Sequence, residues 1–424
     1  MKFNLFLNKS MGKSLTCIKR IIISAVFLLT VNMLTAQYST SVVIKNPSNN
    51  EIVDYTVEIP VEELSLPLGN YVAFDSTAVP VELVKDVCGN TKLIFPVSHL
   101  NGLEERDFLI IRGDAYEYPK RTYAELSHKI GGKFVQHGAD KKNRMEYVGG
   151  YSWVKPNYLR VPDGFTDHAY YIKYEGPGWE SDKVAFRFYL DWRNGIDVFG
   201  KKTPQIVLPA VGIDGYDNYH NMSDWGMDNM KVGSSLGIGS IAVWNGTKAI
   251  RVEKTDSVVC YIPTDGKVRS QVMTHYYGWD ANGVKCNLTS LISIDAGSRV
   301  SHMELLVDKD LDNIATGIIK DKNAEFIQSG KDAEWSYIAT FGKQSLNNDM
   351  MGLAVFYRTN QLKEITQDEK NHVVVLKPEN GRVDYYFMPT WELDWEPVVT
   401  KSDFQRCIDE VMNRLNSEVS YKFR

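Results

Sequence analysis

The stretch KVAFRFYLDWRNGIDVFGKK, residues 183–202, alternates its side chains and then reaches an Asn-Gly pair. One face would carry Val184, Phe186, Phe188 and Leu190, and the other Ala185, Arg187, Tyr189 and Asp191. A period of two is that of a β-strand with two distinct faces. Asn194-Gly195 is the pair that a two-residue type I′ turn requires. The stretch therefore predicts a hairpin whose second strand returns over Ile196–Lys202.

A second alternating strand is predicted over Val268–Trp279. One face would carry Val268, Ser270, Val272, Thr274 and Tyr276, and the other Arg269, Gln271, Met273, His275, Tyr277 and Trp279. Further strands are expected at Cys286–Ile294, Arg299–Val307, Trp335–Phe341, Gly352–Arg358, His372–Leu376 and Arg382–Met388. So many two-faced strands favour a large antiparallel sandwich of two stacked sheets.

The rest of the chain predicts a mainly all-β fold with one helix. Residues 37–113 carry short β-branched and aromatic runs between turn residues, which is typical of a small immunoglobulin-like β-sandwich. The link falls near 113–120, and 120–424 would form the large domain. Helix 402–418 would begin with a capping box of Ser402 and Gln405. Its apolar stripe would be Phe404, Ile408, Val411, Met412 and Leu415.

The first 36 residues predict a secretory signal peptide with cleavage near Ala36. Five basic residues precede or begin the apolar run Ile21–Leu34, which is too short to span a membrane. Without this segment 43 basic and 53 acidic residues remain, because none of the 53 acidic residues lies in it. That balance argues against a nucleic-acid partner. We therefore expect an exported chain, periplasmic or secreted, with no membrane span in its mature part.

Cysteines and metal ligands give weaker indications. Cys88, Cys260, Cys286 and Cys407 remain beyond residue 36 without a CxxC pair, which favours buried free thiols; Cys260 and Cys286 would pair first if a disulfide formed. The histidines show no zinc spacing. The aspartate-rich loops 214–217 and 308–312 do not match the calcium-loop pattern, so no cofactor is predicted and a structural calcium ion stays open. No GxSxG elbow occurs, which leaves acid–base chemistry by histidine, tyrosine and carboxylates.

The segment YDNYHNMSDWGMDNMKVGSSLGIG, Tyr216–Gly239, has neither a helix nor a strand period and is predicted to be a loop. Loops on rigid scaffolds often carry function. Its candidate residues are Tyr219, His220, Asp224, Trp225, Asp228 and Lys231. A histidine among aromatic and polar residues titrates near neutral pH. The alternative is an exposed loop whose aromatic side chains pack back on the sheet.

Two strand faces offer further candidates. His275, Tyr277 and Trp279, with Arg269 and Gln271 on the same predicted face, would line a groove or simply face solvent. Trp179 and Glu180 precede the strand that carries Arg187. For Arg187 the alternative to a ligand contact is an ion pair with Asp191 or Glu180. His302 and Glu304 also share a predicted face.

Three blocks of this sequence resemble a known family. They are WESDKVAFRFYLD (Trp179–Asp191), GIDVFGKKT (Gly195–Thr203) and YHNMSDWGMDNMKVGSSLGIGSIAVW (Tyr219–Trp244). In order and spacing they are similar to the WENDRIAFR, GIDVW-K and YH…G.D.YKVG.S.G.GG…W blocks of the secreted domain-of-unknown-function family numbered 4861. Ser181 and Lys183 depart from the usual Asn and Arg, which argues against a ligand role for either.

The resemblance implies a companion of glycan-degrading enzymes in gut and soil Bacteroidetes, often near enzymes that process uronate-containing plant polysaccharides. It also implies a main domain similar to the galactose-mutarotase-like β-supersandwich, a fold that polysaccharide lyases share. Fold does not fix function, and no catalytic residue is carried over from the family.

The leading hypothesis is an exported lyase acting on a uronate-containing oligosaccharide or polysaccharide. His220 or His275 would be the base, Tyr219 or Tyr277 the acid, and Arg187 or Arg269 would hold the carboxylate by its fork. Trp225 and Trp279 would carry the sugar faces. Trp179, Glu180, Asp228 and Lys231 complete the expected substrate-binding set. These side chains are expected to converge in one cleft.

Other functions fit the same residues. Glu180 and Asp228 would be the carboxylate pair of a glycoside hydrolase. A histidine with a glutamate would serve a sugar epimerase. A non-catalytic glycan-binding protein would use the aromatic residues alone, and a structural role in an exported complex stays open. The sequence does not give the sugar, the linkage or the oligomeric state.

Overall fold

A computed structural model describes residues 39–67, 69–137 and 144–424 of the 424-residue chain. The predicted signal peptide lies outside the described residues. Within them the secondary structure consists of 31 strands, one α-helix and short 3-10 turns. The prediction of a mainly all-β fold is therefore confirmed.

The strands are best given in chain order. The first are β1 (Ser39–Lys45), β2 (Ile52–Pro60), β3 (Tyr71–Phe74), β4 (Ala78–Pro80), β5 (Glu82–Lys85), β6 (Thr91–Leu100) and β7 (Glu105–Arg112). Then follow β8 (Thr122–Glu125), β9 (His128–Ile130), β10 (Lys133–Gln136), β11 (Met145–Val148), β12 (Ser152–Val154), β13 (Tyr158–Arg160), β14 (Gly178–Ser181), β15 (Ala185–Phe188), β16 (Ile196–Lys201), β17 (Gly226–Asp228), β18 (Ala242–Trp244) and β19 (Ala249–Arg251).

The last group begins with the longest strands. It comprises β20 (Ser257–Asp265), β21 (Arg269–Ala281), β22 (Val284–Asp295), β23 (Ser301–Val307), β24 (Ile314–Ile319), β25 (Ala324–Gln328), β26 (Trp335–Gly342), β27 (Met351–Arg358), β28 (Leu362–Gln367), β29 (Asn371–Leu376), β30 (Arg382–Trp391), helix α1 (Lys401–Asn416) and β31 (Ser420–Phe423). The 3-10 turns lie at Val61–Glu63, Lys173–Glu175, Leu208–Ala210, Asn218–His220 and Thr359–Gln361.

Two small sheets are built mainly from the N-terminal strands. A five-stranded sheet has the order β31-β1-β7-β3-β4, and a three-stranded sheet has the order β2-β6-β5. Their shared core includes Ile44, Phe95 and Ile110, all fully buried. Strand β31 from the C-terminal end pairs with β1, so the sheet that begins the described chain also contains its last strand. The division into 37–113 and 120–424 stays a prediction.

Two larger sheets stack face to face over the main core. A nine-stranded sheet has the order β13-β20-β21-β22-β23-β30-β27-β26-β25, and a five-stranded sheet has the order β17-β16-β15-β14-β8. Phe186 and Phe188 of β15 pack in the same buried cluster as Val272 and Phe387 of the larger sheet. A further five-stranded sheet, β19-β18-β24-β29-β28, extends the core. The inner face of each stacked sheet is apolar, so chemistry is left to the outer faces.

The hairpin from β15 to β16 differs from the predicted two-residue turn. Phe188 pairs with Ile196, so the connection runs over residues 189–195. Asn194 has a left-handed φ of 39° but Gly195 does not share it, whereas a type I′ turn needs both. The predicted strand pair forms, but with a longer loop that is held by the Asn194 amide bonding to the Asp191 carbonyl.

Strand β21 keeps its predicted faces only as far as Tyr276. Tyr276 pairs with Leu288 while Trp279 pairs with Cys286, so one extra residue bulges out at the left-handed Gly278. A one-residue bulge moves every later side chain to the other face. Trp279 is consequently fully buried in the main core. The prediction that it shares a face with His275 and Tyr277 is wrong.

Helix α1 is confirmed, but its cap is not the predicted one. Thr400 is the N-cap, and its hydroxyl and the Asp403 carboxylate exchange bonds with each other's backbone amides, so Ser402 and Gln405 are not the capping pair. Phe404, Ile408 and Val411 are buried as expected. They pack on Phe341 and other residues of the nine-stranded sheet's outer face. One end of that face is therefore covered by the helix.

Replacing Phe404 with alanine tests this packing. The side chain is fully buried and stacks on Phe341 at 5.3 Å between ring centroids. A Phe→Ala change at such a site lowers the free energy of unfolding by about 3–5 kcal/mol. Urea unfolding measures it, with the exposed Glu410→Ala as a matched control that changes stability by less than about 0.5 kcal/mol. Equal midpoints for the two variants would contradict the placement of α1.

Candidate functional site

The outer face of the β17-β16-β15-β14-β8 sheet is charged and yet buried. Its charged side chains are Glu125, Glu180, Arg187, Asp197, Lys201 and Asp228, and none is more than 2% exposed. Residues 202–225, which we call the covering segment, lie over them. Val207, Leu208 and Tyr219 of this segment pack on Ala185 and Phe199 of the sheet. Charges removed from water in this way need partners inside the protein.

Arg187 is the centre of this buried network. Its Nε and Nη2 donate to Asp197 at 3.1 and 2.8 Å, and Nη2 also donates to Asp228 at 2.6 Å. Nη1 donates to the Tyr219 hydroxyl at 2.8 Å and to the Tyr174 carbonyl at 3.3 Å. The sequence alternatives Asp191 and Glu180 are wrong as partners, since these pair with Arg193 and Lys201. With its donors taken, Arg187 is not open to a ligand carboxylate.

Two more buried ion pairs tie the covering segment to the sheet. Lys201 binds Glu180 at 2.8 Å, and the other side of that carboxylate accepts the backbone amides of Val207 and Leu208. Lys173 binds Glu125 at 2.7 Å and donates to the Leu208 carbonyl at 2.7 Å. Burial raises the pKa of Glu180 and lowers that of Lys173. Both pairs hold the segment in one position.

His220 lies where the covering segment meets solvent. Its side chain is 42% exposed, and its Nδ1 lies 2.6 Å from the Tyr216 carbonyl. Because a carbonyl can only accept, Nδ1 carries the proton and the lone pair of the neutral ring is on Nε2. Nε2 lies 3.4 Å from Oδ2 of Asp228. Burial and the nearby Arg187 cation lower the pKa of His220, so this ring is neutral and basic at Nε2.

Asp228 complements this histidine. Burial, together with the neighbouring Asp197 carboxylate, raises the pKa of Asp228 well above its ordinary value. Its Oδ1 is buried with no hydrogen-bond partner among the described residues. A carboxyl group with a raised pKa beside a neutral imidazole forms a pair between which a proton can move. The arrangement suits proton transfer at His220.

The backbone beside the site is strained. His168, Tyr170, Tyr174 and Glu175 all have left-handed φ angles, of 59°, 55°, 39° and 69°. Each such residue costs about 1–3 kcal/mol and persists only where surrounding contacts enforce it. The Glu175 carboxylate binds Arg193 at 2.6 Å, and the Tyr174 carbonyl accepts from Arg187. Clustered strain of this kind is typical of functional sites.

A row of aromatic rings leads from the surface to His220. Ring centroids are separated by 6.1 Å for Trp153–Tyr170, 4.9 Å for Tyr170–Tyr216, 6.5 Å for Tyr216–Tyr219 and 4.7 Å for Tyr219–His220. Trp153, Tyr170 and Tyr216 are half-buried, whereas Tyr219 is buried and His220 is exposed. We call these five residues the aromatic ridge. Sugar rings stack on such surfaces.

Several predicted binding residues lie elsewhere. Trp179 is fully buried, stacks on Phe186 at 5.3 Å and donates to Ser301, so it is part of the main core. Trp225 is half-buried against Phe199. Lys231 donates to Asn348 at 3.1 Å. Glu180 is enclosed by Lys201 and by backbone amides. Of the predicted substrate-binding set, only Asp228 contacts the Arg187 and His220 groups.

His275 and Tyr277 lie on the opposite side of the molecule from Arg187. They belong to the outer face of the nine-stranded sheet, where His275 bonds Thr289 at 2.9 Å and Tyr277 is 44% exposed. Arg269, on the same strand, is bound by Asp295 and Glu58 at 2.6 and 2.7 Å. The expected convergence in one cleft is therefore wrong: Arg187, Tyr219 and His220 meet, while His275, Tyr277 and Arg269 do not join them.

Sequence reasoning missed Asp197, Glu175 and the outer part of the aromatic ridge. Asp197 is directly opposite Arg187 in the β15–β16 ladder, so a correct hairpin register would have found it. Glu175 and Tyr170 are placed at the site by left-handed backbone angles, and Trp153 belongs to a strand that is distant in sequence. No residue spacing in the sequence predicts these positions.

The four cysteines of the described part form no disulfide with one another. They are free thiols as expected, but only Cys260 and Cys286 are buried, whereas Cys88 and Cys407 are half-buried. No helix among the described residues is long and apolar enough to cross a membrane. In the two loops considered for calcium, Asp214 accepts from Asn218, Asp308 from Asn287 and Asp312 from Lys363 at 2.7 Å.

The chain belongs to the family described as Domain of unknown function (DUF4861), whose model matches residues 44–420. This confirms the resemblance drawn from the three sequence blocks. The chain is 27% identical over 267 residues to Uncharacterized protein P7 of Formosa agariphila. The match covers 56% of this chain and 65% of that protein, so the chain spans a little under two thirds of its relative.

Two solved structures match this chain with TM-scores below 0.5. A protein in the Glycosyl Hydrolase Family 38 from Enterococcus faecalis gives a TM-score of 0.43 at 8% identity, covering 91% of this chain and 47% of its own. An alpha-mannosidase from Enterococcus faecalis V583 gives a TM-score of 0.44 at 9% identity, and the match covers 91% of this chain and 46% of that protein. This chain spans about half of each.

The tautomer and environment of His220 can be tested by NMR titration. Desolvation and Arg187 disfavour the imidazolium, so the folded protein is expected to titrate His220 below the ordinary value of about 6.5. Because the pKa of His220 is lower in the folded chain than in the unfolded chain, this group's contribution to the free energy of unfolding is fully present above the unfolded pKa of about 6.5. The contribution is lost as the pH falls from there through the folded-state pKa. The His220→Gln variant assigns the resonance. A folded midpoint above that of the urea-unfolded chain would contradict the geometry.

Proposed function

We propose that this chain is a carbohydrate-active protein that binds saccharide along the aromatic ridge and transfers a proton at His220. The observation that carries the proposal is the end of that ridge, where an exposed histidine keeps its basic Nε2 beside a buried carboxyl group. Stacking surfaces next to an acid–base group are what a sugar-processing site requires. Family membership and fold do not by themselves supply this activity.

An acidic saccharide is the substrate class that the ridge favours. The Lys129 ammonium lies 3.2 Å from the Tyr170 ring centroid and 5.2 Å from that of Trp153. Among the described residues no carboxylate lies within 4.0 Å of it. Burial lowers the pKa of Lys129, as expected for a cation that lacks an anionic partner. A uronate carboxylate would supply that partner.

β-Elimination is the reaction that we propose for such a substrate. Nε2 of His220 takes the proton from C5 of a uronate, the C–H electron pair forms the C4=C5 double bond, and the C4 oxygen leaves. The imidazolium then returns its proton to the leaving oxygen. Asp228 adjusts the basicity of Nε2 across 3.4 Å. Tyr219, 2% exposed and bound to Arg187, supports the His220 ring in this scheme.

The geometry does not favour hydrolysis by Glu180 and Asp228. Glu180 is fully buried, with both oxygens bound by Lys201 and by two backbone amides. A general acid or nucleophile must reach the glycosidic bond. A non-catalytic glycan-binding protein remains the second candidate, because the same aromatic ridge would serve it and His220 would be incidental.

The experiment follows the ultraviolet absorbance of unsaturated uronate on a panel of pectic, alginate and glucuronate-bearing oligosaccharides. We expect at least one substrate to be cleaved and His220→Asn to lower kcat by about a hundred- to ten-thousand-fold. The control is His137→Asn, because His137 is an exposed histidine that is paired with Glu146 and is not part of the aromatic ridge.

The outcomes separate the two candidates. Saccharide binding without an absorbance rise, unchanged by His220→Asn, would establish the glycan-binding alternative and refute the lyase. Binding that survives Tyr170→Ala and Trp153→Ala would refute the aromatic ridge as the saccharide surface.

A further inference from the structure

A cleft lies on the opposite side of the molecule from His220. It has a volume of about 560 Å³ and is enclosed by β2, by the outer ends of β21 to β23 and β30, and by the end of α1 with the residues up to β31. Its volume is within the range of small-molecule sites, which also occur preferentially between structural units. No residue of the proposed saccharide site lines it.

The floor of this cleft is fixed by ion pairs between the small and the large sheets. Arg269 of β21 binds Glu58 of β2 at 2.7 Å and Asp295 at 2.6 Å. Lys92 of β6 binds the same Glu58 at 2.6 Å. These pairs satisfy each other, so they position the walls and leave ligand contacts to other side chains.

Five charged side chains of the lining have no oppositely charged partner within 4.0 Å among the described residues. They are Asp86, Glu304, Arg382, Arg414 and Glu418. Arg414 donates to the Val53 carbonyl, and Asp86 accepts from the backbone amides of Cys88 and Asn90. Three of the five are carboxylates, so the lining disfavours an acidic ligand, while its carboxylates and guanidinium groups leave acceptors and donors for a neutral one. Hydroxyl groups donate to carboxylates and accept from guanidinium groups, and a polyhydroxylated ligand satisfies both.

One wall is a stacked pair of rings. The His302 ring lies on the Tyr386 ring at 4.1 Å between centroids, with 9° between planes. His302 Nε2 lies 3.5 Å from the Asp384 carboxylate, and Arg358 donates to the same carboxylate at 2.8 Å. Both rings belong to the lining, next to Glu304, which is two residues from His302 on the same face, and they offer a sugar ring an aromatic contact.

We propose that this cleft is a second saccharide site, one that binds a neutral oligosaccharide without reacting it. Its walls offer free carboxylates and guanidinium groups of both signs together with an aromatic pair. It opens on the outer face of the nine-stranded sheet, whereas His220 lies on the outer face of the five-stranded sheet. The two sites therefore bind independently, and the inference does not depend on the proposed lyase activity.

The test uses cellotetraose, xylotetraose, mannotetraose and maltotetraose as probes of the full chain. We expect at least one to bind by calorimetry and to protect residues 302–306, 382–386 and 411–421 from amide hydrogen exchange. Glu304→Gln keeps the shape of a half-buried, unpaired side chain and is expected to weaken binding about tenfold. Glu418→Gln provides a second, independent variant, and His137→Asn, at an exposed residue that belongs to neither site, is the matched control that leaves this affinity unchanged.

Each result has one meaning. Protection confined to residues 216–228 would overturn the second site and leave the first proposal standing. Absence of binding by all four probes, or wild-type affinity in both Glu304→Gln and Glu418→Gln, would also overturn it. Loss of lyase activity in His220→Asn with cleft binding retained would support both sites separately.

Discussion

The buried guanidinium of Arg187 is the constraint on which this site depends. A cation that is 2% exposed must find acceptors for all of its donors, and here they come from β16, β17, the covering segment and the strained turn at Tyr174. Removing one member of such a buried set costs about 3–5 kcal/mol, because the remaining charge stays uncompensated. Four chain segments are therefore fixed relative to one another, and His220 is carried at the edge of that arrangement.

Much of the fold could be predicted because strand periodicity is local. The alternation in β15 and β21, and the helical stripe of α1, each need only a dozen neighbouring residues. The errors lie where backbone dihedral angles determine the direction of the chain. The bulge at Gly278 turns the Trp279 side chain into the core. At the hairpin, Asn194 has a left-handed φ angle but Gly195 does not. These conformations depend on what packs across from them, and a pattern of apolar and polar residues does not record that.

Only half of the candidate site could be predicted, for a related reason. The loop with Tyr219, His220 and Asp228 was recognisable by its composition. The strand that carries His275 was expected to line the same cleft, because both segments are aromatic and polar. The two sheets between them place those residues on opposite outer faces. The correct pairing register of β15 and β16 would have predicted that Asp197 lies opposite Arg187. Tyr170 and Glu175 could not be predicted, because their left-handed backbone angles are enforced only by tertiary contacts.

The pairing of β31 with β1 has a consequence for biosynthesis. Strand β1 is synthesised before the large sheets, yet one of its two neighbours in the sheet is residues 420–423. Until those residues emerge, β1 presents an unpaired edge of the kind that recruits other chains. The small sandwich can thus close only after the large sheets have been synthesised. A nascent chain would need either a chaperone on that edge or slow assembly of the N-terminal sheet as its final folding event.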